Sequence, residues 1–278
     1  MEKMLENPFG TFRPPLWARF LIAICQHMPT NWLGKRIAFL LRKPILLSKQ
    51  SPIDVEVQGA CFRLQPKTNL SDKRLLCTPN LLDGRERRLM ADRLDKDGCL
   101  IDVGANIGGY GLLLSAARED LKILAVEPDP ELVNRLTENI RFSGFSQRVQ
   151  VLQAAVTGIT GPVTLKRDRD NRGKNAIVEA GQKLKEATDT IEVHGMTLLA
   201  IMNKYHIQRP DAVKLDIEGH ELLVLKIFFE QASKERWPKF IQLEQHRKHE
   251  LNEAVHLAMH KGYRLLKRTR MNVILALV

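Results

Sequence analysis

Four stretches of the chain carry side chains able to do chemistry at a shared site. Leu100-Ile101-Asp102-Val103-Gly104-Ala105-Asn106-Ile107-Gly108-Gly109-Tyr110-Gly111 reads as an apolar strand, a glycine-rich turn and the opening of a helix. Glycines remove Cβ atoms where the backbone must approach a bound molecule, and the free amides of a helix start favour negative charge. Ala125-Val126-Glu127-Pro128-Asp129-Pro130 ends a second apolar run on an acid, and a carboxylate in that place can hold both hydroxyls of a ribose. Asp216 follows the run Ala212 to Leu215 and lies two residues ahead of Glu218; Glu244 follows Phe240 to Leu243. A carboxylate beside a hydroxyl can take its proton, provided burial or a like-charged neighbour raises its pKa, and Asp216 and Glu218 are spaced to act on each other. The alternative is that Asp216 positions substrate while Glu218 caps the helix beginning at Glu218-Gly219-His220-Glu221.

These residues meet only if a sheet aligns the ends of their strands. From Leu100 onward the chain alternates apolar strand and helix. Strands at Leu100–Val103, Leu121–Val126 and Val149–Leu152 are separated by helices near Tyr110–Arg118 and Pro130–Ser143. That alternation predicts a parallel sheet flanked by helices, with ligand bound outside the carboxyl ends of its strands. Asp102, Glu127 and Asp216 then face one crevice, and Glu244 is a further acid in range of the same edge. Later strands are expected at Val163–Leu165, Ala212–Leu215, Phe240–Leu243, Tyr263–Lys267 and Val273–Val278. Three regions are expected: a basic arm (1–50), a β-hairpin and helical cap (51–98) and the α/β domain (99–278). The polar stretch 166–190 is the expected mobile loop or lid, bordering the acceptor pocket.

The glycine turn sorts the ligands. A dinucleotide fingerprint needs glycine where this chain has Asn106, which disfavours NAD. Asp102, a second acid in the turn, suits a ligand bearing an α-ammonium and a sulfonium. His246 and His249 follow Glu244, but without a second cluster of matched spacing a metal is disfavoured, and His246 is kept as a base or substrate contact. His256 and His260, four apart on an expected helix, read as a solvated face. The nucleophile elbow, the Walker A loop and His-Glu-x-x-His are absent from the sequence, which removes support for hydrolase, P-loop kinase and metalloprotease readings.

On these blocks, with Val213-Lys-Leu-Asp-Ile-Glu-Gly-His-Glu221 and Ile241-Gln-Leu-Glu-Gln245, the sequence resembles the FkbM-type family of S-adenosylmethionine-dependent methyltransferases. The resemblance covers about residues 52–278 and leaves the first 50 unmatched. It implies a class I methyltransferase fold: a Rossmann-like, mostly parallel seven-stranded sheet with helices on both faces and the last strand antiparallel. It implies S-adenosyl-L-methionine as cofactor, with Asp102, Gly104, Asn106 and Gly108 around its methionine end, Glu127 on its ribose, and Gln153 and Ala154 near adenine. The implied reaction is O-methylation of a hydroxyl on a small molecule or glycan, with Asp216, Glu218 and Glu244 as the candidate catalytic acids.

Composition bounds the alternatives. The 278 residues hold 43 Lys and Arg against 32 Asp and Glu, a net charge of +11, so nucleic acid, anionic membrane and acidic substrates are all admitted by charge alone. An RNA methyltransferase is the second enzymatic reading. It is disfavoured because aromatic residues are only 6% of the chain and half the excess charge lies in residues 1–50. In that arm, runs such as Leu16-Trp17-Ala-Arg-Phe20 set bulky apolar residues beside cations. Two readings stand there: peripheral membrane contact, or a helical arm packed on the domain or on a partner subunit. A third possibility is a non-catalytic scaffold at a membrane surface. Cys25, Cys61, Cys77 and Cys99 lack metal-site spacing and read as reduced thiols. With no secretory signal pattern, the expected location is cytoplasmic, peripheral at the inner membrane face if the arm binds lipid.

Overall fold

Seven strands form the central sheet of the computed structural model, which describes residues 7–48, 51–67, 69–168, 175–178, 188–245 and 251–278. In chain order these strands are β3 (Cys99–Val103), β4 (Lys122–Glu127), β5 (Val149–Gln153), β10 (Ala212–Leu215), β11 (Phe240–Glu244), β12 (Tyr263–Arg268) and β13 (Asn272–Leu277). Their spatial order is β12-β13-β11-β10-β3-β4-β5. The pairs from β11 to β5 are all parallel, and β13 runs antiparallel to both its neighbours. This is the class I methyltransferase arrangement, with its last strand reversed.

Period-two alternation builds a core on each face. Leu100, Ile123, Ala125 and Ala212 point to one side, and Ile101, Val103, Leu124, Val126, Val213 and Leu215 to the other. The first face is covered by α5 (Gly111–Ala117), α6 (Pro130–Ser143) and the N-terminal elements; the second by α7 (Leu198–Lys204), α8 (Glu221–Gln231) and α9 (Glu253–His260). Helix α6 shows why its boundaries fall where they do. Asp129 accepts from the Glu131 amide at 2.9 Å, Pro130 occupies the first turn, and Gly144 ends the helix at φ +72°.

The N-terminal elements are α1 (Leu16–His27), α2 (Trp32–Leu47), the antiparallel hairpin β1 (Ile53–Val57) and β2 (Ala60–Leu64), and the cap helices α3 (Leu70–Cys77) and α4 (Gly84–Arg93). The hairpin is held by a buried Arg63–Asp54 ion pair at 2.8 Å and the cap by a buried Arg135–Asp72 pair. Asn139 on α6 accepts from the Arg63 amide at 2.9 Å and donates to the Ile107 carbonyl at 3.0 Å, tying the hairpin to the glycine turn.

The stretch Val163–Leu165 lies outside the main sheet. It belongs to β7 (Gly161–Lys166), which pairs with β8 (Ala176–Ile177) and β9 (Thr190–Met196) in a smaller sheet completed by β6 (Ala155–Val156). Of the expected lid, residues 169–174 and 179–187 lie outside the described residues, as do His246 and His249.

Candidate active site

A cleft open to solvent runs along the carboxyl ends of β3, β4, β5 and β10. Its floor is the glycine turn. Gly104 sits at φ +74°, and a Cβ there would lie 2.0 Å from the Asp216 carbonyl oxygen, so glycine alone lets the turns after β3 and β10 pass each other. Asn106 holds a left-handed φ of +53°, which asparagine tolerates, and its Oδ1 accepts from the Ile107 amide and from Asn69 Nδ2, both at 2.9 Å.

Glu127 is buried on the cleft wall at the end of β4. Its Oε2 accepts from the Asn106 amide at 2.9 Å and its Oε1 from the Asp129 amide at 3.1 Å. Burial lifts its pKa to about 7, against the opposing pull of those two amides. A carboxylate has about four acceptor positions, so two remain for further donors. Ala154 also lines the cleft, while Gln153 is exposed beside it.

The structure sets Asp102 beneath the turn and off the cleft wall. Its side chain is fully buried; Oδ2 accepts from the Gly111 amide at 3.1 Å, and Oδ1 lies 3.4 Å from Lys214 Nζ. Strand alternation is the cause, since Asp102 shares a face with Leu100 and points under the cap. Gly108 likewise faces inward, where a Cβ would strike Leu136 and Leu112 within 2.8 Å.

Lys214 is the residue that sequence reasoning passed over. It stands opposite Asp102 on one side and Gln242 on the other in the sheet register, making a polar row across three strands. Its Nζ is 3.1 Å from Asp216 Oδ2 and lies over the Tyr110 ring, whose hydroxyl donates to Gln242 Oε1 at 2.7 Å. Burial acts to lower its pKa, but the carboxylates of Asp216, Asp102 and Asp83 outweigh that and hold it above the ordinary lysine range. A lysine interrupting the apolar stretch Val213-Lys-Leu was the available signal.

Asp216 and Glu218 both line the cleft, and the Asp216 side chain is 39% exposed. Glu244 is hydrogen-bonded to Asp216; burial first, then the charges of Asp216 and Glu218, push its pKa to about 9. Asp83, contributed by the cap, is a further acid on the cleft wall that the sequence did not flag. It accepts from Asn272 Nδ2 at 2.8 Å, and burial raises its pKa to about 6. Asn175, Ala176 and Ile177 close the cleft on the side of the smaller sheet, where the Ile177 carbonyl lies 3.1 Å from His220 Nε2. Among the described residues there is no cluster of His, Cys, Asp and Glu able to hold a metal, and His256 and His260 are exposed on α9.

The Methyltransferase FkbM domain matches this chain over residues 102–265, more than half of its length, and takes in every acid of the main sheet's rim. The chain belongs to the FkbM methyltransferase family. Asp83 and the cap lie before the family's matched stretch, so this wall of the cleft comes from outside it. Among curated proteins similar to this chain, the hexuronic acid methyltransferase AglP of Haloferax volcanii is 28% identical over 140 residues, covering 50% of this chain and 53% of AglP. Methyltransferase sdnD of Sordaria araneosa is 28% identical over 152 residues, covering 46% of this chain and 59% of sdnD. The chain thus spans little more than half the length of these curated relatives. Among solved structures, the METTL16 methyltransferase domain aligns at 16% identity and a TM-score of 0.46, covering 95% of this chain and 92% of that one.

Proposed function

We propose that this FkbM-family chain is an S-adenosylmethionine-dependent O-methyltransferase acting on a hydroxyl of a small molecule or glycan. The observation that carries the reading is the convergence of Glu127, the Gly104–Asn106 turn, Asp216 and Glu218 on one cleft, with Glu244 hydrogen-bonded to Asp216 behind it. The residues present suit such a cofactor. Glu127 keeps two acceptor positions for ribose hydroxyls, the Gly104 backbone offers close approach, and Asp83, Asp216 and Glu218 supply the negative surroundings that an ammonium and a sulfonium require. Ala154 would lie against the adenine, with Gln153 at its outer edge. Asp102 and Gly108 would act from beneath, Asp102 by anchoring Lys214 and Gly108 by letting α5 and α6 pack under the turn.

When bound, the cofactor supplies an electrophilic methyl group on a sulfonium. The chain's own task is to make a neutral hydroxyl nucleophilic. Asp216, exposed to the cleft, accepts that proton. Lys214 holds Asp216 in place through a 3.1 Å contact, and Glu244 shares a hydrogen bond with it. Glu218, with its backbone at φ +51° in the turn after β10, orients the acceptor. Transfer of label from S-adenosyl-[methyl-³H]methionine to hydroxylated acceptors tests the reading, with uronic acid glycosides tried first because of AglP. Absence of any heat or thermal shift with millimolar cofactor would falsify it.

A further inference from the structure

The helical hairpin of α1 and α2 carries apolar side chains on both of its faces. Its inner face buries Ala18, Ile22 and Cys25 from α1, and Gly34, Ala38 and Ile45 from α2. A Cβ on Gly34 would lie 2.1 Å from the Pro29 carbonyl oxygen, so the turn between the helices closes tightly. Gln26 Nε2 donates to the Leu76 carbonyl at 3.1 Å and fixes the pair to α3. A second set of large apolar side chains faces outward: Leu16 is 78% exposed, Phe20 68%, Trp32 68% and Leu40 60%. Eight of the fifteen exposed large apolar residues among those described lie on these two helices, including every exposed Trp and Phe, so the patch is far from a random scatter.

Charge decides what covers it. From residue 7 to residue 53 the sequence holds seven Lys and Arg and no Asp or Glu. The guanidinium of Arg36 lies over the Trp32 ring at 4.6 Å, and that of Arg42 over Phe39 at 4.3 Å, so cations and aromatics share one surface. A second copy docked on this face would set cation against cation with no acid to offset them. Nucleic acid would leave Leu16, Leu33, Leu40 and Leu47 without an apolar partner. An anionic bilayer satisfies both halves, with phosphates for the cations and acyl chains for the leucines and rings. None of the described helices is long and apolar enough to cross a membrane, so contact is in the interfacial plane.

We propose that the outer face of the α1–α2 hairpin is a docking surface for anionic lipid bilayer. The full chain is mixed with vesicles of phosphatidylcholine containing about one third phosphatidylglycerol, and separately with pure phosphatidylcholine vesicles. Co-sedimentation with the anionic vesicles is expected, weakening about fivefold for each cation neutralised at Arg36 or Lys43 and falling with added salt. Phe20→Asp with Leu40→Asp should abolish it while leaving the melting temperature unchanged, since both side chains are solvent-facing. A second readout needs no variant: Trp17 and Trp32 are exposed, so their emission should shift blue with anionic vesicles and be quenched by brominated lipid. The proposal is overturned if the native chain neither sediments nor shifts. It is equally overturned if the double variant sediments as well as the native chain, or if the native chain forms a lipid-free dimer that the double substitution dissociates.

Discussion

Replacing Lys214 by methionine removes one charge from the interior and leaves another behind. Asp102 is fully buried, and its remaining direct partner is the Gly111 amide at 3.1 Å. Breaking a buried pair by deleting one member costs about 3–5 kcal/mol, because the orphaned charge keeps its desolvation penalty. The Asp216 contact adds nothing to that figure, since its side chain is 39% exposed and solvent screens it. For a chain of this length about 0.6 kcal/mol corresponds to one degree, so the expected loss is about 5–9 °C in melting temperature at pH 8. The loss should shrink on acidification. Burial already holds the Asp102 pKa above its unfolded value, and losing the ammonium raises it further. A carboxyl raised on folding binds more protons in the native state, so stability falls as pH climbs from the unfolded pKa towards the folded one. Lys214→Met should therefore lie closer to the native protein at pH 5.5 than at pH 8. Asp102→Asn in the same chain should recover most of the deficit as a coupling energy of about 2 kcal/mol or more. Urea and thermal melts of the four proteins at both pH values give the cycle. A single variant within about 2 °C of the native chain at pH 8, or a double variant no better than the single one, would refute the reading of Lys214 as the counter-charge that keeps Asp102 ionised.

Gly104→Ala places a methyl group 2.0 Å from the Asp216 carbonyl at a positive φ, so cofactor binding should be lost together with several degrees of stability, read by calorimetry and by melting. Glu127→Ala should weaken cofactor binding about a hundredfold, from two lost charged hydrogen bonds. In the native chain, binding should weaken about tenfold from pH 8 to pH 6 as a carboxyl with pKa about 7 takes up its proton, and a flat profile would count against it. Asp216→Asn should lower kcat by about a hundredfold or more while leaving cofactor affinity within about threefold; loss in affinity alone would mean that Asp216 only binds. Glu244 and Glu127 carry protons near neutrality, so binding of a cationic cofactor should release about one proton at pH 7, seen as different calorimetric heats in phosphate and in Tris.

The strands of the main sheet were legible because short apolar runs alternate with helical stretches along the chain, with an acid in or just after each of β3, β4 and β10. β9 escaped notice although Thr190-Ile-Glu-Val-His alternates polar and apolar residues, because it directly adjoins the polar stretch 166–190 read as a loop. Period-two alternation along β3 decides the place of Asp102. Counting by twos from the core residue Leu100 sends it under the cap, a step that needs knowledge of which face the cap covers. Asp83 was illegible for a different reason. Its partner Asn272 lies 189 residues away, and only the closing of β13 against β11 brings the cap acid to the rim.

The cleft gathers acids from three separate elements, Asp83 from the cap, Glu127 from β4 and Asp216 with Glu218 after β10, and Glu244 at the end of β11 is hydrogen-bonded to Asp216. In a low-dielectric groove such a set repels itself, and the raised pKa values of Asp83, Glu127 and Glu244 record that cost together with burial. A protein retains it when something positive offsets it. Within the sheet that offset is Lys214, the buried cation where the row from Asp102 to Gln242 meets the rim. Lys214 is a single charge, and two of its carboxylate contacts, with Asp102 and Asp216, already engage it. The remaining negative charge faces the open cleft. A cation delivered by a ligand completes the balance, which is why an ammonium-bearing sulfonium suits this groove better than an anionic dinucleotide.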